Sequence, residues 1–150
     1  IGCPSVAGVA DRINHQIKFR EGWRPFCPSM LDTVAPQMIK IDHPAPFMTF
    51  TFEVAEEWKT RVPEVVHEDG TSRAQVLKRE YNPRYYDMMK ALEDLTGNGV
   101  SLNTSLNRRG EPMICSPTDA LNMFFGSDLQ YLIMEDILVV KEGVQGNGLD

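Results

Sequence analysis

Apolar side chains near the start of the chain recur at every fourth position. Val9, Ile13 and Ile17 have this spacing, and the residues between them are mostly polar or charged. Side chains at i, i+4 and i+8 share one face of an α-helix. The pattern therefore predicts an amphipathic helix from Val9 to Phe19.

A period of two residues marks the next apolar stretch. Over residues 48–54, apolar side chains alternate with Thr and Glu, which predicts a half-buried strand. Residues 73–78 and 100–103 are also predicted to be strands. Pro25 and Pro28 lack the backbone N–H that helices and sheets use, so the chain around them is predicted to be irregular.

Capping residues mark two later helices. Asn82 and Ser116 each precede a proline, and both are residue types that cap the N-terminus of a helix. The first helix is predicted to end at Gly97 or Gly99 and the second at Gly126, because glycine is favoured just beyond a helix C-terminus.

Two apolar runs of strand length close the patterned part of the chain. Tyr131–Met134 and Ile137–Val140 are separated by an acidic pair, which predicts a turn and a terminal hairpin. A short helical turn is predicted at Glu56–Arg61. Because helices and strands interleave along the chain, the pattern predicts an α/β fold in a single domain.

Length and charge narrow the class of protein. The chain has 150 residues, enough for one sizeable core, and its fifteen basic and twenty-one acidic residues give a net charge of -6. That sign disfavours a surface that binds nucleic acid or an anionic membrane throughout. No apolar run approaches the ~20 residues of a membrane span, and the first residues lack the order of a secretory signal, so we expect a soluble, cytoplasmic protein.

The cysteines and histidines carry no metal or disulfide pattern. The three cysteines are widely separated, so reduced thiols are expected. His15, His43 and His67 stand 28 and 24 residues apart, and this spacing places no pair of them on one helix face. No metal site is predicted.

Three polar segments are candidates for anion binding. They are residues 18–26, 68–73 and 103–112, and each carries arginine, whose planar guanidinium suits phosphate or carboxylate oxygens. Each segment can also be explained without a ligand. Residues 18–26 would be cations favoured at a helix C-terminus, residues 68–73 a hairpin with a surface arginine, and residues 103–112 a solvated polar turn. Spacing alone leaves both interpretations open.

Seven motifs, in these segments, between them and on either side of them, occur in a characteristic order. They are Arg12-Ile-Asn14, Lys18-x-Arg20-Glu-x-x-Arg24-Pro-Phe-x-Pro-Ser29, Pro46-Phe-Met48, Asp69-Gly-Thr-x-Arg73-x-Gln75, Asn82-Pro-Arg-Tyr85, Leu102-Asn-Thr-Ser-x-Asn107-x-Arg-Gly-Glu-Pro112 and Ser116-Pro-x-Asp-Ala120. Together they resemble the C-terminal domain of NodU/CmcH-type O-carbamoyltransferases, from about Ala10 to Lys141. Leu106 stands where the family commonly has Phe, and Ser72 where Ala is commoner.

The resemblance implies a fold and a domain arrangement. It implies a YrdC-like α/β domain, a twisted mixed β-sheet flanked by helices, over residues 10–141. Residues 1–9 are then the irregular N-terminal edge of an excised fragment, and residues 142–150 a flexible tail. A Gly-x-Arg-Ser element that normally supplies another phosphate-binding arginine would precede Ile1, so the isolated fragment is expected to be inactive or weak.

The resemblance also implies an activity. In this family the YrdC-like half uses ATP with Mg²⁺, and carbamoyl phosphate as co-substrate, to make carbamoyl-adenylate. An N-terminal Kae1-like domain of the same protein then transfers the carbamoyl group to a hydroxyl of a sugar, a nodulation factor or an antibiotic. The acceptor is left open, since this chain contains nothing that resembles the transferase half.

The family's Lys-x-Arg plus Ser-x-Asn tetrad corresponds to Lys18, Arg20, Ser105 and Asn107. The resemblance implies that the two cations neutralise the triphosphate and that the hydroxyl and amide hydrogen-bond a phosphate or the carbamoyl group. Two of the candidate segments would then form two walls of one site. Magnesium is expected to arrive with ATP rather than in a cage of His and Cys.

Three further arginines are candidates. Arg24 and Arg73 are expected to hold carbamoyl phosphate or its released phosphate through their planar forks. Arg109 is expected to support the site, with Glu111 as its ion-pair partner. The residues assigned to catalysis are Lys18, Arg20, Arg73 and Ser105; those assigned to ligand binding are Lys18, Arg20, Arg24, Arg73, Ser105, Asn107 and Arg109.

Two hypotheses of other classes stay open. The chain could be a non-catalytic nucleotide- or RNA-binding module, against which the net charge argues. It could instead be a structural module that packs against its partner half or forms a homodimer. Trp58, Phe124 and Phe125 could serve such contacts if exposed, although burial in the core is the ordinary fate of each.

Overall fold

The computed structural model describes residues 1–143, which fold into helices and several small sheets. The predicted mixed α/β class is confirmed. Residues 144–150 of the predicted tail lie outside the described residues. Among the described residues, no helix is both long enough and apolar enough to cross a membrane.

Contacts divide the chain into two compact units. The first unit consists of Ile1–Asp11 and Trp23–Thr104, and the second consists of Arg12–Gly22 and the chain from Ser105 onward. The helices are α1 (Val9–Arg12), α2 (Ala35–Met38), α3 (Glu56–Arg61), α4 (Pro83–Thr96) and α5 (Pro117–Phe125), with a π-helical turn at Ile13–Ile17 and a 3-10 turn at Pro63–Val65. The strands are β1 (Cys27–Leu31), β2 (Phe52–Glu53), β3 (Thr71–Ser72), β4 (Gln75–Leu77), β5 (Val100–Asn103), β6 (Tyr131–Met134) and β7 (Ile137–Val140).

The central strand of the first unit lies where an irregular backbone was predicted. Strand β1 is buried along its whole length and pairs with β4 in parallel and with β5 in antiparallel orientation. The N–H of Leu31 donates to the backbone oxygen of Gly99, next to β5, and the N–H of Asp32 donates to the backbone oxygen of Leu77 in β4. Successive N–H groups along β1 therefore point alternately toward β5 and β4. The missing N–H of Pro28 therefore falls on the β4 side, one residue before that ladder begins at Ser29. Proline is tolerated there, and the prediction was wrong.

Two other strand predictions need correction. Over 48–54 only Phe52–Glu53 is a strand, and a turn precedes it in which Thr49 donates its N–H to Phe47. Of the predicted strand at 73–78, only Gln75–Leu77 is paired, as β4, and a separate short strand, β3, precedes it at Thr71–Ser72. In both segments the strand-like sequence covers more residues than the hydrogen-bonded pairing of the backbone does.

Helices with capping signals match the predictions closely. The Asn82 carboxamide oxygen accepts from the N–H of Tyr85 at the start of α4, and Gly97 ends the helix in the left-handed conformation at φ 73°. Ser116 caps α5 in the same way by accepting from Asp119. The terminal hairpin β6–β7 is also as predicted, with paired residues running from Tyr131↔Val140 to Met134↔Ile137.

Each unit has its own core. In the first unit Trp58 and Met30 are completely or almost completely buried. In the second, Phe124 packs with Ala120 and Leu132 beneath the hairpin. Phe125 is 69% exposed, so of the three aromatic residues considered for interface contacts only this one is on the surface.

The first helix is shorter and wider than predicted. An α-helical turn, Val9–Arg12, passes into the π-helical turn Ile13–Ile17. Phe19 then adopts φ 51°, a left-handed conformation that is rare for a bulky side chain and ends the helical path.

Candidate functional site

Lys18 is the buried centre of the candidate site in the second unit. Only 4% of the Lys18 surface is exposed to solvent. The ammonium Nζ donates to the backbone oxygen of Ser105 at 2.6 Å and, in Asn107, to the backbone oxygen at 3.0 Å and the side-chain Oδ1 at 3.1 Å. The Ser105 hydroxyl lies 3.4 Å away. Residues 87 positions apart in the sequence therefore form one cluster.

The loop that receives Lys18 is itself internally bonded. The Ser105 hydroxyl donates to Asn107 Oδ1 at 2.6 Å, and Asn107 Nδ2 donates to the backbone oxygen of Glu111 at 2.9 Å. The N–H of Arg109 donates to the backbone oxygen of Lys18 at 2.9 Å. Because both the main chain and the side chains join the two segments, Lys18 and the 105–111 loop form a pre-organised unit.

Arg20 is held by a residue that sequence reasoning did not select. Its Nε donates to Oδ1 of Asn14 at 2.6 Å, and Asn14 is only 1% exposed. Asn14 was visible only as part of a motif, since a buried asparagine carries no periodic signal of its own. A polar side chain on the otherwise apolar face of a helical segment was the one available hint.

The expected ion pair between Arg109 and Glu111 is not formed. Glu111 instead accepts from Arg108, whose Nε and a terminal nitrogen reach its two oxygens at 3.0 and 2.8 Å. Arg109 pairs with Glu21 at 3.1 Å. A tight turn at Gly110, with φ 79°, brings residue 108 rather than 109 back onto the carboxylate.

Hydrogen bonds from the Arg108 guanidinium lower the pKa of Glu111 below its ordinary value. Because the folded-state pKa is lowered, the pair stabilises the fold above the ordinary glutamate pKa, and this stabilisation is lost as pH falls through the lowered value. Replacing Arg108 with methionine is expected to raise the pKa of Glu111 toward that of an exposed glutamate. A carboxyl-carbon NMR titration measures the change, with Arg79→Met as the matched control. A Glu111 pKa that stays low in Arg108→Met would contradict this explanation.

The other two predicted arginines, Arg24 and Arg73, belong to the first unit. Both are exposed residues. Arg73 Nε donates to the Sγ of the buried Cys27 at 3.3 Å. This contact anchors the base of the guanidinium at the start of β1.

Polar side chains on the sheet of the first unit form a network that the sequence did not predict. The Ser29 hydroxyl donates to Gln75 Oε1 at 2.8 Å, and Asn103 Nδ2 donates to the Ser29 oxygen at 2.9 Å. The three residues lie on neighbouring strands β1, β4 and β5. Their pairing depends on strand order, which the local sequence pattern does not reveal.

Beside this network lies a cavity of about 530 Å³ in the first unit. Gln75 supplies an amide, and most of the remaining lining is aromatic or apolar. The lining residues are Pro46, Phe47, Gln75, Leu77, Tyr81, Asn82 and Tyr85. Aromatic walls with two amide side chains, Gln75 and Asn82, suit a flat ligand that hydrogen-bonds along its edge.

The two segments that form the Lys18 cluster carry more basic than acidic side chains. Residues 12–22 and 105–112 carry five basic and two acidic side chains, although the chain as a whole has a charge of -6. Three of the five cations form ion pairs: Arg12 with Asp128, Arg108 with Glu111, and Arg109 with Glu21. Within residues 1–143 there is no group of three or more His, Cys, Asp or Glu side chains placed to hold a metal ion. The arrangement places a buried ammonium and the Arg20 guanidinium next to a loop of hydroxyl, amide and backbone groups.

Comparison with known proteins gives a consistent family match. A family model described as the carbamoyltransferase C-terminus matches residues 1–141. Nodulation protein NolO of Bradyrhizobium diazoefficiens is 37% identical over 92% of this chain and 26% of its own length. Nodulation protein U of Rhizobium tropici is 36% identical over 68% of this chain and 18% of its length. A protein of Synechocystis described as uncharacterized is 34% identical over 94% of this chain. The chain spans about a quarter of the length of the Synechocystis and NolO proteins, at 26% of each.

Proposed function

The chain belongs to the carbamoyltransferase C-terminus family, and from this premise we propose that it is the part of an O-carbamoyltransferase that makes carbamoyl-adenylate. The substrates in the proposal are ATP and carbamoyl phosphate. The observation that carries it is the cluster of Lys18, Ser105 and Asn107, which unites the two halves of the tetrad that the family resemblance implies. Because the Lys18 ammonium donates to three loop oxygens, it is proposed to act on the triphosphate through its charge while it holds the loop in place.

The proposed reaction has two steps that balance. Water and carbamoyl phosphate first give carbamate and inorganic phosphate. A carbamate oxygen then attacks the α-phosphorus of ATP, forming a new P–O bond as the bond to the departing pyrophosphate breaks. Phosphoryl and nucleotidyl transfers of this kind depend mainly on positioning and on neutralisation of charge, so the protein need not supply a covalent nucleophile.

Each candidate side chain has a role in this proposal. Lys18 and Arg20 neutralise the triphosphate, and Ser105 and Asn107 hold a phosphate or the carbamoyl group by hydrogen bonds. In the first unit, Arg73 and Arg24 bind carbamoyl phosphate or its released phosphate. Arg109 adds positive charge to the second unit, although its pairing with Glu21 reduces that contribution.

Magnesium enters the proposal as a companion of ATP. Mg²⁺ prefers oxygen ligands and commonly binds through substrate phosphates together with water. The ion therefore supplies charge neutralisation on the phosphates. This assignment needs no dedicated protein cage.

The proposal assigns carbamoyl transfer to another part of the full-length protein. A Kae1-like N-terminal domain would pass the carbamoyl group to a hydroxyl of a sugar, a nodulation factor or an antibiotic. Because ATP and carbamoyl phosphate are metabolites of the cytoplasm, the proposal places the protein there.

Pyrophosphate release from the full-length protein tests the proposal. With ATP, carbamoyl phosphate and Mg²⁺ present, we expect Arg73→Ala and Ser105→Ala to lower the rate by about tenfold or more, the order of magnitude for losing one charged or polar contact to the transferring group. Arg79→Ala is the matched control, since this exposed arginine pairs with Asp87 on the surface. Unchanged turnover in both Arg73→Ala and Ser105→Ala would contradict the site assignment.

Binding measurements separate the proposal from the two other classes. RNA binding that weakens steeply with salt, combined with no binding of ATP, would indicate a nucleic-acid module instead. A homodimer that forms without any nucleotide affinity would indicate a structural module. The proposal requires ATP binding in the presence of Mg²⁺.

A further inference from the structure

The segment between the two proposed phosphate-binding cations has a strained backbone. Phe19 separates Lys18 from Arg20 and has φ 51°. A bulky L-residue in the left-handed region is unfavourable and persists only when surrounding contacts hold it. Those contacts therefore decide where the Arg20 side chain lies.

Asn14 makes three hydrogen bonds to the residues that follow Phe19. Its backbone oxygen accepts from the N–H of Arg20 at 2.9 Å, and its Oδ1 accepts from Arg20 Nε at 2.6 Å. Its Nδ2 donates to the backbone oxygen of Gly22 at 3.2 Å. One side chain that is 1% exposed thus binds the main chain and the side chain that follow the strained residue.

A neutral amide is well suited to orienting an arginine that binds an anion. Guanidinium is planar, so a hydrogen bond at Nε, together with the fixed backbone, sets the plane and hence the position of the terminal nitrogens. An asparagine oxygen achieves this without cancelling the positive charge. A carboxylate at the same place would form an ion pair and compete with phosphate for the arginine.

We propose that Asn14 is a positioning residue that orients the Arg20 guanidinium for binding the phosphates of ATP. The inference rests on the proposed function, because Arg20 must itself contact the nucleotide. Asn14 acts through Arg20 and has no role of its own in the chemistry. Its effect should therefore disappear when Arg20 is absent.

A double-mutant cycle in the full-length protein tests this coupling. We expect Asn14→Ala to raise the KM for ATP by about tenfold, and Arg20→Ala to raise it at least as much. In the double variant the KM is expected to equal that of Arg20→Ala, since a positioning residue has nothing left to position. Gln16→Ala is the matched control, because this exposed amide lies in the same π-helical turn.

Asn14→Asp separates positioning from general stability. Aspartate keeps an oxygen within reach of Arg20 Nε but loses the donation from Nδ2 to Gly22, so the melting temperature is expected to fall. The KM is therefore measured well below the melting temperature of the variant, where the protein is folded. The KM for ATP is expected to rise about tenfold, because the new carboxylate pairs with Arg20. A normal KM in Asn14→Asp would overturn the inference.

The cycle also distinguishes the inference from the function on which it rests. If Arg20→Ala raises the KM while Asn14→Ala adds the same factor with or without Arg20, Asn14 is only structural and the proposed function stands. If Arg20→Ala leaves the KM unchanged, Arg20 is not a nucleotide contact, and both the inference and that part of the proposed site are overturned.

Discussion

Replacing Lys18 with methionine in the full-length protein is expected to lower the rate of pyrophosphate release at least about a hundredfold, as removal of a preorganised electrostatic contact commonly does. The substitution removes the charge assigned to the triphosphate. It also removes the donor that the oxygens of Ser105 and Asn107 share. The loop that carries the rest of the tetrad therefore loses its anchor at the same time.

Lys18→Arg distinguishes the two contributions of the lysine. Arginine keeps the charge, but its planar fork cannot reproduce a compact ammonium surrounded by three close oxygens. We expect Lys18→Arg to recover less than a tenth of the wild-type rate, and we expect hydrogen exchange in the 105–111 loop to increase in both variants. Full activity in Lys18→Met would contradict the role of this cluster. Wild-type exchange in the loop would contradict its role as an anchor.

Phe124→Ala is expected to destabilise the second unit by about 3–5 kcal/mol. The Phe124 side chain is completely buried against Ala120 and Leu132. Truncation removes the largest side chain of this small core and leaves a cavity that neighbouring β6 can fill only in part. The loss is large relative to the stability of a typical domain.

The adjacent phenylalanine is the matched control for this prediction. Phe125 is the same residue type in the same helix but is 69% exposed, so Phe125→Ala is expected to change stability by less than about 1 kcal/mol. Native-state hydrogen exchange of peptides from α5 and β6 measures both values in the full-length protein. Equal losses in the two variants would show that burial at Phe124 does not determine the stability of this core.

Elements with local signals could be predicted from the sequence. The capping residues Asn82 and Ser116 correctly predicted where α4 and α5 begin. The acidic pair between two apolar runs correctly predicted the terminal hairpin. These features depend on interactions within a few residues. Local chemistry therefore determines them almost alone.

Elements that depend on distant partners could not be predicted. Strand β1 contains Pro28, and only the offset between the β4 and β5 ladders explains why proline is acceptable there. Before Phe52 the alternation of apolar residues covers residues 48–51 as well, but among the described residues no strand pairs with them. Pairing across the sheet, rather than propensity, decides both cases.

The candidate site shows the same division. Lys18, Ser105 and Asn107 were selected through the family resemblance, and the structure brings them within hydrogen-bond distance. The partner of Glu111 and the importance of Asn14 depend instead on a glycine turn and a strained residue. Neither backbone feature has a periodic signature in the sequence.

The product formed from ATP tests the central proposal most directly. The full-length protein is incubated with ATP labelled at the α-phosphorus, carbamoyl phosphate and Mg²⁺, without an acceptor. The account predicts a labelled carbamoyl-adenylate, which releases AMP on hydrolysis and forms together with pyrophosphate. Labelled ADP, or no conversion of ATP by a protein that is folded and binds it, would contradict the account.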